Sequence, residues 1–277
     1  MSNSLTIAIP TKNSAERIVK CIQSIGNNFA IEIVVIDSQS TDKTAEIAIE
    51  LGAKVLQFHW NGKYPKKRNW FLMENTPKTD WILFLDDDEI LTEKSKLAIT
   101  KAISQTGINA FWLNYSVYNS DKKLNWGYPL KKLALFKTDA GFFEKIEEDF
   151  WSSLDMEIHE HPIINGPIGS IKEKLEHKVN FNEPGWQHKH LEYAKWEAKR
   201  FLNLSSNNKD LTILQKIKYT ILKSPAAGFF FFLGSYILLG GFMDGKNGLK
   251  YAYHKACYFN WVYKAIQREK YIGFEKK

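Results

Sequence analysis

Four short strand-like runs recur through the N-terminal part of the chain, each giving way to polar residues: Leu5–Ile9, Ile31–Ile36, Lys54–Phe58 and Trp81–Leu85. Between them lie segments of helical spacing. Ala15–Ile25 places Ile18, Cys21, Ile22 and Ile25 on one face; Thr41–Leu51 is opened by Ser40 or Thr41 as its cap; Tyr64–Glu74 is the third. An unbroken apolar run such as Trp81–Leu85 reads as a strand buried on both faces. Strands alternating with helices leave few folds open, and the pattern predicts a doubly wound, mostly parallel α/β sheet.

After Glu89 the rhythm changes. Thr92–Ser104 reads as another helix. Ala110–Tyr118 and Leu130–Lys137 read as strands bracketing a turn at Asn125–Gly127, which predicts a mixed or antiparallel sheet edge. Phe142–Gly169 reads as irregular. Two amphipathic helices follow: Trp186–Leu204, with Leu191, Ala194, Ala198, Phe201 and Leu202 on one face, and Leu249–Ile266, with Ala252, Tyr253, Ala256, Cys257 and Tyr263. Between them, Ala226–Met243 is an uncharged stretch of 18 residues that includes Phe229–Phe232 and Gly228, Gly234, Gly240 and Gly241. A span needs roughly 20 apolar residues. A helix or hairpin lying in or dipping into a membrane interface is expected, with a true span and a core helix as the alternatives.

Charge divides the chain. Residues 185–277 hold 16 Lys and Arg against 6 Asp and Glu, whereas residues 1–184 hold 22 against 25. A basic, aromatic-rich C-terminal third suits an anionic membrane surface or nucleic acid. The rest lacks a basic stripe, so no nucleic-acid partner is expected. Cys21 and Cys257 have no metal-type spacing, and a reducing compartment is their simplest setting. No signal-like segment precedes the first strand.

Asp86-Asp87-Asp88-Glu89 directly follows the fourth strand. Carboxylates crowded in this way repel unless a cation sits between them, and Mg²⁺ takes one or two carboxylates plus phosphate oxygens. A solvated acidic loop is the plainer alternative. Two further polar clusters end strands, Pro10–Asn13 after the first and Asp37–Asp42 after the second. A parallel sheet brings all three to one edge, where open α/β folds bind ligands. The chain has neither GxGxxG nor a P-loop. Lys66–Asn69 opens the third helix and reads either as a solvated charge run or as a diphosphate contact.

The ordered segments IPTKN, EIVVIDSQSTDKT, KKRNWFL and DWILFLDDDEIL resemble the N-terminal half of family 2 glycosyltransferases of the GT-A fold. EIHEHPIINGPIG, LEHKVNF, WQHKHLEYAKWEA and GGFMDGKNGLKYAYHKACY bring the resemblance nearest to the bacterial lipopolysaccharide-core β-glucosyltransferase subgroup. It implies a nucleotide-sugar and catalytic domain over residues 1–184, and a helical region over 185–277 for membrane association or oligomerisation. It implies an inverting, Mg²⁺- or Mn²⁺-dependent hexosyl transfer from a nucleotide sugar, UDP-linked by expectation. By the same resemblance the expected acceptor is a cell-envelope glycan or lipid-linked molecule at the inner face of the cytoplasmic membrane. Carried over residue by residue, Pro10, Thr11, Asp37, Lys67, Arg68, Asp86 and Asp87 line the nucleotide. Asp88, Asp86 and His177 hold the metal, and Glu160 is the catalytic carboxylate, with Glu148 and Asp149 as rivals. Trp126, Lys189 and His190 are acceptor candidates. Ser14 stands where the family has an acid, and Lys67 where it has Gln. A sugar-nucleotide nucleotidyltransferase and a non-catalytic membrane protein of the same fold are the competing readings.

Overall fold

The computed structural model describes residues 4–119, 121–127, 129–145, 153–157, 162–181, 185–206 and 213–275. They form two units: Met1–Tyr118 with Pro129–Asp149 and Asp155–Val179, and Asn119–Tyr128 with Phe150–Leu154 and Asn180–Lys277.

The first unit is built on strands β1 (Leu5–Thr11), β2 (Glu32–Asp37), β3 (Lys54–Gln57), β4 (Trp81–Phe84) and β5 (Glu89–Ile90), with helices α1 (Ala15–Ile25), α2 (Thr44–Glu50), α3 (Lys67–Glu74) and α4 (Glu93–Ile103) between and after them. β6 (Ala110–Asn119) and β8 (Leu130–Lys137) follow, while β7 (Lys122–Leu124) falls in the second unit. Among the described residues the main sheet runs β3-β2-β1-β4-β8-β6-β11-β5, where β11 is Ile168–Val179. The β1–β2, β1–β4 and β2–β3 pairs are parallel; β4–β8, β6–β8 and β5–β11 are antiparallel. The sheet is therefore α/β with a parallel half and a mixed edge, as the alternating pattern requires.

Burial on both faces explains the apolar runs. Ile7, Ile9, Val35, Trp81, Leu83 and Leu85 pack on one side with Ile18, Cys21 and Ile22 of α1 and Ile99 of α4. The intervening Ala8, Val34, Ile36, Ile82 and Phe84 face the other way and pack with Phe71 and Leu72 of α3.

Three expectations need correction. The segment read as irregular contains strands β9 (Gly141–Phe143) and β10 (Pro162–Ile164), which pair antiparallel, and the start of β11. They are short or strongly charged, so their alternation is weak in the sequence. The cap of α2 is neither Ser40 nor Thr41: the Asp42 carboxylate accepts Thr44 N at 3.0 Å, and also Ala15 N at 3.1 Å at the start of α1. Tyr253, assigned to a buried face, is 60% exposed.

The second unit is helical: α5 (Trp186–Ser206), α6 (Ile213–Leu222), α7 (Ala227–Leu233) and α8 (Gly245–Glu275). Its core gathers Ala194, Ala198, Phe201, Tyr219, Leu222, Ala227, Tyr258, Val262 and Ile266. A π-helical turn over Gly234–Leu238 and a 3₁₀ turn over Gly241–Asp244 join α7 to α8. Gly240 adopts φ +73°, and a side chain on Gly248 would collide with the Gly241 carbonyl, so glycine permits this bend. The two arms meet at 73°, and no single helix among the described residues is long and apolar enough to cross a membrane.

Leu83 lies fully buried in β4. Leu83→Ala is expected to cost ~2–5 kcal/mol, read as a lowered urea midpoint with an unchanged slope.

Candidate active site at the C-terminal edge of the sheet

Parallel register brings the loops after β1, β2 and β4 to one edge. Thr11 pairs with Asp37, Asp37 pairs with Gln57, and Leu85 N donates to Ala8 O at 3.0 Å. The first two loops turn through left-handed residues, Asn13 (φ 50°) and Gln39 (φ 53°). Such conformations persist only where surrounding bonds hold them, and they gather at functional sites. Here the Asn13 side-chain oxygen accepts Thr41 N at 2.8 Å, and Asn13 N donates to Ser40 Oγ at 2.8 Å, lacing the two loops together. Pro10 is buried in β1 opposite Ile36. Asp37, expected at a base, is buried and engaged by its own loop: Oδ2 accepts Ser40 N at 3.0 Å and Gln57 Nε2 at 3.1 Å, and Oδ1 accepts the Ser40 hydroxyl.

The acidic run is neutralised in large part by the chain itself. Asp86 is gripped on one oxygen by Arg68 Nη2 at 2.7 Å and on the other by Lys132 Nζ. Lys132 also pairs with Glu89, whose Oε2 accepts Asp86 N at 3.1 Å and the Tyr115 hydroxyl at 3.3 Å. Asp87 turns toward the first loop, accepting Thr11 Oγ1 at 3.0 Å, the Ser14 hydroxyl and Arg17 Nε at 3.2 Å. Asp88 faces His177, with Oδ1 and Nδ1 3.3 Å apart. His177 reaches this position because β11 pairs with β5 in the register His177–Glu89.

These partners set the electrostatics. Burial opposes ionisation of Asp86, but Lys132 and Arg68 outweigh it and hold the carboxyl well below the usual range. Burial pushes Glu89 up to about 6 despite Lys132. Burial also disfavours the His177 imidazolium, yet the Asp88 carboxylate raises its pKa. Burial, reinforced by Asp87, raises the Cys21 thiol beneath the run well above its ordinary value, which makes it a poor nucleophile.

The basic segment is buried and bound to the chain's own acids. Lys67 and Arg68 are 1% and 8% exposed. Lys67 Nζ donates to Thr11 O at 2.8 Å and pairs with Asp155 at 3.2 Å; burial lowers its pKa. Arg68 is directed at Asp86 and at Glu157, whose backbone oxygen accepts Nη1 at 2.7 Å. The Glu157 carboxylate accepts Arg68 N and Asn69 N, both at 3.0 Å, and so closes the N-terminus of α3. Both cations therefore brace the loops and the acidic run.

A metal was expected on Asp86, Asp88 and His177. Among the described residues no group of three or more His, Cys, Asp or Glu is arranged to hold one. The two oxygens of Asp86 face Arg68 and Lys132. Asp88 and His177 fit better. Asp88 Oδ1 and His177 Nδ1 are both buried, and beyond facing each other at 3.3 Å neither makes a hydrogen bond. One carboxylate and one imidazole, completed by phosphate oxygens and water, suit a divalent ion.

Glu160, Glu148 and Asp149 lie outside the described residues. Trp126, Lys189 and His190 belong to the second unit. His190 is stacked on Trp186, its ring nitrogen 2.8 Å from the Trp186 carbonyl, and burial lowers its pKa to about 4, so it offers no charge to a phosphate at neutral pH. A cavity of about 790 Å³ lies at the opposite edge of the sheet, around Thr76, Asp80, Ile103, Gln105, Lys137 and Asp139, and none of the candidate residues lines it.

The model for Glycosyl transferase family 2 matches residues 6–156, more than half of the chain. The chain belongs to that family. This glycosyltransferase is 26% identical over 275 residues to an uncharacterized glycosyltransferase of Rickettsia bellii, with 88% of this chain and 82% of that protein covered. It is 31% identical over 105 residues to a 4,4'-diaponeurosporenoate glycosyltransferase of Staphylococcus haemolyticus, covering 35% of this chain and 27% of that one. Among solved structures it is similar to a mannosyltransferase of Pyrobaculum calidifontis in complex with GDP-Man and Mn²⁺. There the TM-score is 0.53 at 14% identity, over 98% of this chain and 88% of that one. The shared fold is of the GT-A type.

Sequence reasoning missed Lys132, Glu157, Asp155, Arg17 and Tyr115. Lys132 sits in a strand whose other lysine neighbours make it look like ordinary surface. Glu157 opens the very segment from which Glu160 was chosen, and a carboxylate there had a visible use opposite a basic helix start. Lys132→Met is expected to lower stability by on the order of 3 kcal/mol, since two carboxylates lose their shared cation, and Lys132→Arg to recover most of it. Glu157→Ala is expected to cost about 1–3 kcal/mol by uncovering the α3 amides. Urea unfolding monitored by circular dichroism measures both; variants as stable as the parent sink this account of the site.

Proposed function

We propose that this glycosyltransferase is an inverting, metal-dependent hexosyltransferase that moves a sugar from a nucleoside-diphosphate donor, UDP-linked, to a hydroxyl of a cell-envelope glycan or lipid-linked acceptor. The single observation carrying the metal and donor assignment is the buried pair Asp88 Oδ1 and His177 Nδ1, which face each other at 3.3 Å and make no further hydrogen bond, beside the loops that follow β1, β2 and β4. The Mn²⁺ and GDP-Man held by the Pyrobaculum calidifontis mannosyltransferase are of the class proposed here. By resemblance the subgroup is that of the lipopolysaccharide-core β-glucosyltransferases, working at the inner face of the cytoplasmic membrane.

Mg²⁺ or Mn²⁺ on Asp88 and His177 would supply a Lewis acid opposite the departing diphosphate. The remaining residues shape the place where that charge develops. Lys132 and Arg68 hold Asp86 ionised and immobile, and the lone pairs left on its oxygens would accept a ribose hydroxyl. Thr11 and Asp37 cap adjacent strands at the nucleotide side. Glu160 is assigned as the base that takes the proton of the attacking hydroxyl, a role typically worth ~10²–10⁴-fold. One base and direct displacement invert the anomeric centre.

Asp88→Asn is expected to abolish Mn²⁺-dependent UDP binding in calorimetry and to reduce transfer by at least ~10²-fold, with circular dichroism showing the fold retained. Chelation of the parent protein should have the same effect, reversed by Mn²⁺. Undiminished transfer by Asp88→Asn, or a product that retains the donor's anomeric configuration in NMR, overturns the assignment.

A further inference from the structure

The bend between α7 and α8 carries more exposed apolar surface than its role as a connector needs. Phe229 and Phe230 are 59% and 49% exposed on α7. Ile237, Leu238 and Leu239 continue the surface over the π-helical turn, with Leu238 at 83%. Phe242 and Met243 follow on the far arm at 54% and 58%, and Leu249 and Tyr253, one helical turn apart, extend it along α8. No charged residue occurs from Ala226 to Met243, and exposed Lys223 and Lys246 flank the stretch. Soluble surfaces rarely leave this many large apolar side chains uncovered within one short segment.

A tryptophan from a distant part of the chain is fastened to the same bend. The Asp244 carboxylate accepts Asn125 N at 2.9 Å and Trp126 N at 2.8 Å. Gly127 N donates to Leu239 O at 3.0 Å, and Ser235 Oγ donates to Gly127 O at 3.3 Å. The Trp126 ring lies so close to Gly240 that a Cβ there would stand 3.1 Å from it. Trp126 is nevertheless 49% exposed. These bonds hold an amphipathic ring at the rim of the apolar crown, the position tryptophan favours at a lipid–water boundary.

We infer that this crown, Ile237–Leu239 with Phe242, Met243 and Trp126, is a monotopic insertion surface for an anionic phospholipid bilayer. The crown enters the acyl boundary, and the lysines beside it meet the headgroups. A second copy fits less well as the occupant. Its own crown would bring the same basic segment, 16 Lys and Arg against 6 Asp and Glu, up against this one. Ala227–Leu238 and Gly241–Tyr271 meet at 73°, a bend that suits a segment entering one leaflet and returning. The inference takes from the proposed function only the identity of the membrane; insertion itself stands on the crown.

Flotation with vesicles of phosphatidylethanolamine and phosphatidylglycerol, compared with phosphatidylcholine vesicles, tests it on the full chain. The parent is expected to float with the anionic vesicles, and high salt to weaken but not abolish this. Leu238→Glu combined with Phe242→Glu should reduce partitioning by roughly tenfold or more, and Trp126→Ala by a few-fold. Ile49→Glu, altering an apolar residue 61% exposed in the first unit, should leave it unchanged. UDP binding by calorimetry on the same variants reports separately on fold and donor site, so failure there does not count against insertion. A parent protein that ignores anionic vesicles, or a double variant that floats like the parent with UDP binding intact, overturns the inference. So does a dimer in sedimentation that the double variant dissolves, which reassigns the crown to self-association.

Discussion

Lys132 bridging Asp86 and Glu89, with Arg68 on the far oxygen of Asp86, is the contact on which the site depends. Four successive carboxylates at the end of a buried strand are an electrostatic burden that apolar packing does not relieve. The chain distributes them: Asp86 to Lys132 and Arg68, Asp87 to Arg17 and two hydroxyls, Asp88 to His177, Glu89 to Lys132 and Tyr115. Without Lys132, Glu89 would be a buried acid beside another acid, and its raised pKa already reflects how narrowly this is balanced.

The same arrangement gives the acids separate tasks. Asp86 is fixed by two cations and serves as a rigid polar edge. Asp87 ties the β4 loop to the β1 loop, and Ser14 is part of that tie where the family resemblance has an acid. Another carboxylate at position 14 would face Asp87 directly, so serine is the residue that fits here. Asp88 is answered by a single imidazole, and neither its Oδ1 nor the facing His177 Nδ1 makes a further hydrogen bond. Behind them, Lys67 and Arg68 belong to the supporting layer with Asp155 and Glu157, and this support keeps the loops in place.

Much of the fold was legible because it rests on local signals. Apolar runs at Leu5–Ile9 and Trp81–Leu85 and the helical face of Ala15–Ile25 needed no partners to be recognised, and the ordered motifs carried the family. β11 was less legible because a strand such as Ile168–Val179, rich in Lys and Glu, lacks the apolar run that marked the others. In the site, the edge shared by Thr11, Asp37 and Asp86 followed from parallel strands alone. The depth of Lys67 and Arg68 did not, because a basic run looks the same in sequence whether it meets solvent or an acidic partner.

The sequence by itself determined the strand–helix alternation, the position of the acidic run at a strand end, the uncharged stretch before the last helix, and family membership. Tertiary structure alone decided which charge answers which. Lys132 lies 46 residues from Asp86, Glu157 lies 89 from Arg68, and Asp244 lies 118 from Trp126. A pairing of that range leaves no local periodicity, because it forms only when distant segments are brought together by burying their apolar neighbours. Side-chain chemistry can be read one residue at a time, whereas electrostatic and hydrogen-bond partnership depends on distance in space.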